Sequence, residues 1–249
     1  TGNGSRSTGS IPFMHVVDAE MLAFNQGTTR RGSYAAYSNI SHPEIEEFIN
    51  MRKSSGGDIN RKNLNLHNAV NITNEFLECV KEDKPWRLID PKTKEPTKII
   101  SARELWMRLL ETRAETGEPY LINIDNCNAA LPKEQKDLGL EIKQSNLCSE
   151  ITLPTNEERT AVCCLSSVNL EYFDKWKKND QFIEDLITML DNVLENFIED
   201  IVDTDNLGGY TANFKRFKTY VKEDKKGMVK AAYSAYRERS IGLGAMGFH

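Results

Sequence analysis

The chain is organised around the stretch QSNLCSE at residues 144–150, which is followed at once by ITLP at residues 151–154. This stretch places a thiol two residues after an amide and two residues before a carboxylate. If the segment is extended, a side-chain period of two puts Asn146, Cys148 and Glu150 on one face. Core cysteines usually have apolar neighbours, and a surface cysteine needs neither Asn nor Glu beside it. The pattern therefore indicates a chemical site at Cys148.

Two further thiols follow in the run VCCLS at residues 162–166, which predicts a strand. Adjacent side chains on a strand project to opposite sides, which argues against a disulfide between Cys163 and Cys164. A thiol beside a carboxylate, with further thiols in the same chain, suggests redox or radical chemistry.

The totals describe an ordinary soluble chain of 249 residues, enough for one large or two small domains. Its formal charge of −5 provides no general attraction for nucleic acid or an anionic membrane surface. No apolar run approaches the roughly 20 residues that span a bilayer, and no signal-peptide segment is recognisable. We therefore expect a cytoplasmic protein with neither nucleic acid nor membrane among its partners.

The cysteine and histidine content argues against two structural devices. Five cysteines are an odd number in a long chain, which does not suit a secreted disulfide framework. With four histidines and no CxxC or HxxxH spacing, the chain has no zinc pattern, and we expect no metal ligands.

One polar loop has a composition that suits an anion. The run QGTTRRGS at residues 26–33 combines two glycines with two arginines, and so offers backbone N–H groups and guanidinium forks. A solvated connector with arginines present by chance explains the same composition equally well.

Helix and strand patterns alternate along most of the chain. Helices are predicted from Ser10 to Asn25, over 41–52, after a Thr73 cap, from the capping box of Ser101 and Glu104 to Thr116, and over 182–201; strands are predicted over 34–40, 64–72 and 120–124; an irregular or hairpin segment is predicted over 86–98, a turn over 125–128 and a loop over 132–139. This alternation favours an α/β class with parallel pairing, and a barrel whose strand ends surround Cys148 would fit it.

Some chemically capable residues have simpler structural roles. His67, within a predicted strand, is interpreted as a hydrogen-bonded structural histidine, and Cys79 as a small packed residue. The apolar stripe over residues 182–201 is interpreted as core or as a subunit face.

Several motifs together resemble the catalytic large (alpha) subunit of class I ribonucleotide reductases. They are SNLCSEI at 145–151 with LPT at 153–155, Cys163 before LS at 165–166 and NL at 169–170, RSIGLG at 239–244, TGSIPF at 8–13, the loop at 26–32, and PYLINID at 119–125. The resemblance covers essentially the whole chain. The combination of NLCxEI with a correctly spaced second cysteine is specific.

The resemblance implies a ten-stranded α/β barrel with a central finger loop that carries Cys148 at its tip. By this comparison Cys148 is the cysteine that becomes a thiyl radical and abstracts the ribose 3′ hydrogen. Glu150 is the carboxylate that takes the 3′-hydroxyl proton, and Asn146 is the amide that holds the loop and the substrate in register. Cys163 is one member of the redox pair that reduces the sugar.

The resemblance also assigns a binding role to the polar loop, as the segment that relays the identity of an allosteric effector to the substrate base. The implied substrate-binding and effector-binding residues are Ser10, Gln26, Gly27, Arg30, Arg31 and Gly32. The implied partners are a ribonucleoside diphosphate, a metal-containing small (beta) subunit that supplies the radical, dNTP or ATP effectors, an external thiol reductant of the thioredoxin or glutaredoxin type, and a second alpha subunit. No cofactor is expected to bind this chain directly.

Parts of the family pattern have no counterpart in the sequence: the N-terminal ATP-binding domain, the second redox cysteine, the phosphate-cradling segment, the radical-delivering tyrosine pair and the C-terminal cysteines. We therefore expect residues 1–249 to be a partial catalytic barrel domain, as a fragment or a split-gene product, that needs complementary chain segments for activity. Two alternatives stay open, a class II reductase that uses adenosylcobalamin and a non-catalytic nucleotide-binding or assembly module. The choice between diphosphate and triphosphate substrates also stays open.

Overall fold

The fold is described from a computed structural model that covers Gly4 and residues 7–27 and 29–248, without the side chains of Asn25, Gln26 and Arg30. Residues 1–9, whose Gly, Ser, Thr and Asn content predicts a loop, fall partly outside the described residues, and residues 7–9 have no regular secondary structure. The chain forms two compact units. The first comprises the described residues up to Lys136 together with Ile142–Thr152, and the second comprises Asp137–Glu141 and the described residues from Leu153 onward.

The first unit alternates helices and strands, as predicted. In chain order its elements are α1 (Ile11–Ala23), β1 (Asn25–Gln26), β2 (Arg30–Arg31), β3 (Ala35–Asn39), α2 (Ile45–Asn50), a 3₁₀ turn (Ile59–Arg61), β4 (His67–Ile72), α3 (Asn74–Lys81), β5 (Pro85–Ile89), β6 (Pro96–Ser101), α4 (Ala102–Thr116), β7 (Tyr120–Asn123) and α5 (Ile124–Ala129); α6 (Lys133–Asp137) follows. The α/β class and the main helices are therefore confirmed.

A parallel three-stranded sheet in the order β3-β4-β7 lies at the centre of the first unit. The central strand β4 is covered on both faces, because Ala69 and Val70 point to opposite sides and both are fully buried. Strands buried on both faces are typical of parallel sheets. The predicted parallel pairing is thus confirmed here.

Local capping explains where two helices of this unit begin and end. The Thr73 hydroxyl accepts a hydrogen bond from the Phe76 amide at 3.1 Å, and the Ser101 hydroxyl accepts one from the Glu104 amide at 3.2 Å. Helix α4 ends at Gly117, which adopts a left-handed conformation with φ of 81°. Both helix starts agree with the predicted caps.

Three segments differ in detail from the predictions. Residues 125–128, predicted as a turn, lie in helix α5, because the Asn123 side chain caps it by accepting from the Asn126 amide at 3.0 Å. The predicted loop over 132–139 contains the short helix α6. The predicted helix over 41–52 is regular only over α2. The segment 86–98 contributes to the antiparallel hairpin β5/β6, which is one of the two forms predicted for it.

The second unit packs helices against a two-stranded parallel sheet. Its elements are β8 (Cys164–Asn169), a 3₁₀ turn (Leu170–Tyr172), α7 (Phe173–Trp176), α8 (Phe182–Ile201), α9 (Phe214–Thr219), a 3₁₀ segment (Glu223–Met228), α10 (Val229–Glu238) and β9 (Ile241–Met246). Strands β8 and β9 pair in register from Cys164 opposite Ile241 to Asn169 opposite Met246. The predicted strand over 162–166 therefore begins two residues later than expected.

Helix α8 has the bounds that its apolar spacing predicts. Leu190, Leu194 and Ile198 are buried in the second unit, whereas Ile187 and Val193 on the same helix are exposed. One part of its apolar stripe is therefore core. Among the described residues, no helix is both long and apolar enough to cross a membrane.

Candidate active site

Cys148 lies in a tight turn rather than in a strand. Leu147 and Cys148 form the turn, and the Ser149 amide donates to the Asn146 carbonyl at 3.2 Å. Ser149 has a φ of 70°, a left-handed conformation that costs a non-glycine residue on the order of 1 kcal/mol. The expectation that Asn146, Cys148 and Glu150 alternate along an extended segment is therefore wrong, because the chain reverses between them.

Side chains at the start of the turn close it onto its end. The Ser145 hydroxyl donates to the Ile151 carbonyl at 2.6 Å, and the Asn146 side-chain carbonyl accepts from the Ile151 amide at 3.1 Å. Both backbone polar groups of Ile151 are thereby paired. Cys148 and Glu150 are exposed at this closed turn, so its geometry presents a thiol and a carboxylate to solvent.

The segment that leads into the turn is held by asparagines from distant elements. The Asn128 side chain pairs with both backbone groups of Ile142, accepting from its amide at 2.8 Å and donating to its carbonyl at 2.9 Å. Asn71, on β4, donates to the Lys143 carbonyl at 2.8 Å. This irregular segment thus has its hydrogen bonds supplied by side chains, as buried backbone requires.

Sequence reasoning did not find these supporting asparagines. Asn71 interrupts the apolar run of a buried strand, and an amide in that position is costly unless it is hydrogen-bonded. A polar residue within an otherwise apolar buried strand is the sequence signal that could have identified Asn71. Asn128, the other supporting asparagine, lies in the segment 125–128, for which the sequence predicts only a turn.

Tyr37 on β3 contacts the turn on both sides of Cys148. Its hydroxyl donates to the Asn146 carbonyl at 2.7 Å and lies 3.2 Å from the Ser149 hydroxyl. Strand register places Tyr37 opposite Ala69 and Ala69 opposite Tyr120, so the three residues form one row across the sheet. Sequence reasoning did not single out Tyr37 or Tyr120.

Tyr120 interacts electrostatically with Cys148 in the same turn. Burial raises the pKa of Tyr120, and the negative charges of Glu118 and of a Cys148 thiolate add to the increase. Glu118 is itself buried. It accepts a hydrogen bond from the Asn68 amide at 3.0 Å and pairs with Arg52 at 3.2 Å.

His67 also donates a hydrogen bond to the Glu118 carboxylate. The interpretation of His67 as a hydrogen-bonded structural residue is confirmed.

In the second unit, Cys163 and Cys164 have different surroundings. Cys164 packs against the unit's apolar core, and burial raises the pKa of its thiol. The Cys163 sulfur lies on the side of Gly242, where an added Cβ would be 3.9 Å away. Cys79, Cys127, Cys148 and Cys164 are free thiols, and the Cys163 thiol donates a hydrogen bond to the Cys164 carbonyl at 3.6 Å.

Ion pairs hold the starts of β8 and β9. Arg159 and Glu238 form a buried pair, with exposed side-chain fractions of 8% and 4%. The Arg159 guanidinium also lies 5.4 Å from the centre of the Tyr233 ring. The next residue, Arg239, pairs with Asp191 of α8 at 2.7 Å. Residues just before Cys163 and just before β9 are therefore both anchored to the helices of this unit.

The predicted anion loop is a short hairpin in which β1 pairs with β2. Gly27 has a φ of 71° at its turn, while Thr28 and the side chains of Gln26 and Arg30 lie outside the described residues. The Gly32 amide donates to the Phe24 carbonyl at 2.7 Å, and a Cβ on Gly32 would lie 2.7 Å from the Met21 carbonyl oxygen. Only glycine fits where this hairpin returns to α1; Arg31 is exposed beside it.

Ser10 takes the N-cap position of α1, as predicted, but its side chain does not cap the helix. Its hydroxyl donates to the Glu44 carboxylate at 2.7 Å, and its amide donates to the same oxygen at 2.9 Å. The Ser10 hydroxyl is therefore engaged by Glu44 in this structure, and Glu44 orients the residue.

The structure brings some candidate residues together. Asn146, Cys148 and Glu150 share one closed turn in the first unit. Ser10 and the β1/β2 hairpin also belong to the first unit, whereas Cys163 belongs to the second unit. Over residues 7–27 and 29–248, no three His, Cys, Asp or Glu side chains converge as a metal site.

Comparisons with known proteins agree on one family. The family model described as "Ribonucleotide reductase, barrel domain" matches residues 1–249. A Frog virus 3 (isolate Goorha) relative is 51% identical over 247 residues, which is 99% of this chain and 40% of the viral protein. The ribonucleoside-diphosphate reductase large subunit of Invertebrate iridescent virus 3 is 43% identical over 298 residues, covering 98% of this chain and 44% of that protein.

A solved structure that matches this chain is also a ribonucleotide reductase. The class Id ribonucleotide reductase alpha subunit of Actinobacillus ureae matches with a TM-score of 0.72 and 31% sequence identity, covering 99% of this chain and 38% of that chain. The chain spans less than half the length of these relatives. A match over every residue, supported by sequence and by structure, shows that the chain belongs to the ribonucleotide reductase barrel domain family.

Proposed function

We propose that this chain is a segment of the catalytic subunit of a cytoplasmic ribonucleoside-diphosphate reductase, which converts ribonucleoside diphosphates to 2′-deoxyribonucleoside diphosphates. The observation that supports this most directly is the closed turn that presents Cys148 and Glu150 while Ser145 and Asn146 hold its two ends together. A reactive thiol must be fixed relative to its substrate, and such a turn provides that constraint.

In the proposed reaction, a Cys148 thiyl radical takes the hydrogen atom from ribose C3′ and becomes a thiol. The Glu150 carboxylate accepts the 3′-hydroxyl proton, the 2′-hydroxyl takes a proton from one thiol of a reducing pair and leaves as water, and a 3′-keto sugar radical centred on C2′ remains. Cys163 and a second thiol form this pair; they supply two electrons, as a hydrogen atom to C2′ and an electron to the ketone, and become a disulfide, while Glu150 returns its proton to the 3′ oxygen. Cys148 then returns its hydrogen atom to C3′ and regenerates the radical.

The remaining roles follow from the family resemblance. The radical originates in a metal-containing small subunit, and an external thiol reductant of the thioredoxin or glutaredoxin type restores the dithiol. The β1/β2 hairpin, with Gln26, Gly27, Arg30, Arg31 and Gly32, together with Ser10, serves binding of the substrate and of dNTP or ATP effectors. A class I radical source is preferred to adenosylcobalamin, since the solved structural relative is a class Id alpha subunit.

The direct test replaces Cys148 with Ser in a complete large subunit containing this sequence, assayed with its small subunit for dCDP formation. We expect turnover to fall to background while effector binding persists, because serine keeps the turn but cannot form a thiyl radical. Cys79→Ala is the matched control, since it also removes one thiol and Cys79 packs against the first unit's core. Retained turnover in Cys148→Ser would overturn the proposal.

A second test concerns the extent of the domain. Residues 1–249 are proposed to form a partial catalytic barrel that needs the remaining alpha-subunit segments and an alpha dimer. The isolated chain should form no dCDP with dithiothreitol, and activity should return when the other segments and the small subunit are added. Effector binding without turnover in the completed assembly would instead support a non-catalytic module.

A further inference from the structure

The Tyr37 hydroxyl connects the central sheet of the first unit to the tip of the Cys148 turn. It donates to the Asn146 carbonyl at 2.7 Å, two residues before Cys148, and lies 3.2 Å from the Ser149 hydroxyl, one residue after it. The two contacts therefore flank the thiol on both sides along the chain. A single hydroxyl can make both, since it donates one hydrogen bond and accepts another.

Strand β3, which carries this hydroxyl, is held in place by its pairing with strand β4. Tyr37 lies in the middle of β3, paired with Ala69 of the buried strand β4. Because the strand is fixed by its ladder and the phenol ring is rigid, the hydroxyl has little freedom to follow a moving turn. A site residue on a loop needs such a support from a regular element to hold its geometry.

The left-handed backbone conformation of Ser149 makes the turn depend on support from its surroundings. Ser149 is held at a φ of 70°, and such a conformation in a non-glycine residue persists only where its surroundings determine it. The Tyr37 contact with the Ser149 hydroxyl is one of those determinants, and the Asn146 contact fixes the opposite side. Without the phenol oxygen, the turn keeps its internal closure through Ile151 but loses its attachment to the sheet at the tip.

We propose that Tyr37 is a positioning residue of the reductase reaction, whose hydroxyl fixes the Cys148 turn to strand β3 so that the thiol meets the ribose in a reactive geometry. This inference rests on the proposed function. It assigns Tyr37 no proton transfer and no radical, only the placement of the turn that carries the reacting sulfur.

The test is Tyr37→Phe in the complete large subunit, assayed with its small subunit and its effectors. Misplacement of reacting atoms by about 1 Å can lower a rate by on the order of 100-fold, so we expect kcat to fall by about 10-fold to 100-fold. KM should change by less than about twofold, because Tyr37 contacts the turn rather than the substrate. Tyr210→Phe is the matched control, since it also removes one phenol hydrogen bond, to Glu195 at 2.8 Å in the other unit.

A structural readout accompanies the kinetics. Hydrogen–deuterium exchange of peptides spanning residues 144–151 should be faster in Tyr37→Phe and unchanged in Tyr210→Phe, while exchange in α4 and β4 stays at the wild-type level. Faster exchange throughout the first unit would show general destabilisation and would overturn the positioning role. Wild-type kcat and exchange in Tyr37→Phe would overturn it as well.

Ser149→Gly provides a second variant that accommodates the left-handed backbone and removes the hydroxymethyl side chain that carries the hydroxyl. It should lower kcat less than Tyr37→Phe does, and the double variant should be no slower than Tyr37→Phe alone, since both changes remove the same contact. Fully additive losses would contradict the shared contact. Turnover by Cys148→Ser would refute the proposed function itself, whereas an inactive Cys148→Ser beside a fully active Tyr37→Phe would refute only the role of Tyr37.

Discussion

The Asn146 side-chain carbonyl accepts a hydrogen bond from the Ile151 amide at 3.1 Å, across the turn that presents Cys148. Ser145 closes the same gap by donating to the Ile151 carbonyl at 2.6 Å. The family resemblance implies that Asn146 holds the loop and the substrate in register, and this hydrogen bond holds the loop. It completes the turn from within, while Tyr37 attaches it to the sheet.

Replacing Asn146 with Ala should loosen the turn, because the Ile151 amide loses its acceptor. We expect faster hydrogen exchange at the Ile151 amide and a fall in dCDP formation by the complete enzyme. Asn146→Asp should keep slow exchange, since a carboxylate oxygen can accept the same hydrogen bond. Equal exchange at Ile151 in wild type and Asn146→Ala would contradict this account of the turn.

Gly32→Ala should displace the β1/β2 hairpin. The added Cβ would lie 2.7 Å from the Met21 carbonyl oxygen and 3.1 Å from that of Phe24, and both are backbone atoms that cannot rotate away. We expect the complete enzyme to lose effector-dependent choice among substrates, measured as the ratio of deoxynucleotide products with each dNTP. Gly227→Ala is the control, because an added Cβ meets nothing within 4 Å there. An unchanged product ratio in Gly32→Ala would separate the hairpin from effector response.

Arg159→Met should destabilise the second unit, because it leaves the buried Glu238 carboxylate without this cation. Breaking such a pair from one side typically costs about 3 to 5 kcal/mol, whereas an exposed pair is worth roughly 0 to 1 kcal/mol. The midpoint of urea unfolding should shift strongly for Arg159→Met and little for Lys226→Met, whose partner Glu223 is exposed. The double variant Arg159→Met with Glu238→Gln should recover part of the loss; further destabilisation would argue against pairing as the cause.

The reactivity of the Cys164 thiol should rise at higher pH than that of an unperturbed thiol. Burial raises the pKa of Cys164, so at a given pH it holds less thiolate, the reactive form, than an unperturbed thiol. In a Cys163→Ser variant, alkylation of Cys164 by iodoacetamide should be slower than that of glutathione near neutral pH. Its rate should continue to rise at pH values where the glutathione rate has levelled. A rate profile that levels at the same pH as glutathione would show that the Cys164 thiol is not perturbed.

The features that sequence could predict here are those decided by near neighbours in the chain. The caps by Thr73 and Ser101 depend on an amide three residues away, and the bounds of α8 follow from apolar residues recurring at helical spacing. The chemical identity of Cys148, Glu150 and Cys163 could also be inferred, because the motif specifies residue types at fixed spacing. Residues 125–128 form a helix instead of the predicted turn because the Asn123 side chain caps it.

By itself, then, the sequence determined the α/β class, the capped helices and the residues that suggest thiol chemistry, since these depend on local propensity and pattern. Only the tertiary structure decided the shape of the site. Cys148 lies in a turn because Ser145 and Asn146 bond Ile151, and Tyr37 bonds the Asn146 carbonyl. Asn71 and Asn128 bond the backbone of the segment that leads into this turn. Tyr37 is separated from Asn146 by 109 residues, and no local pattern reports a hydrogen bond that forms only when a strand and a distant loop fold together.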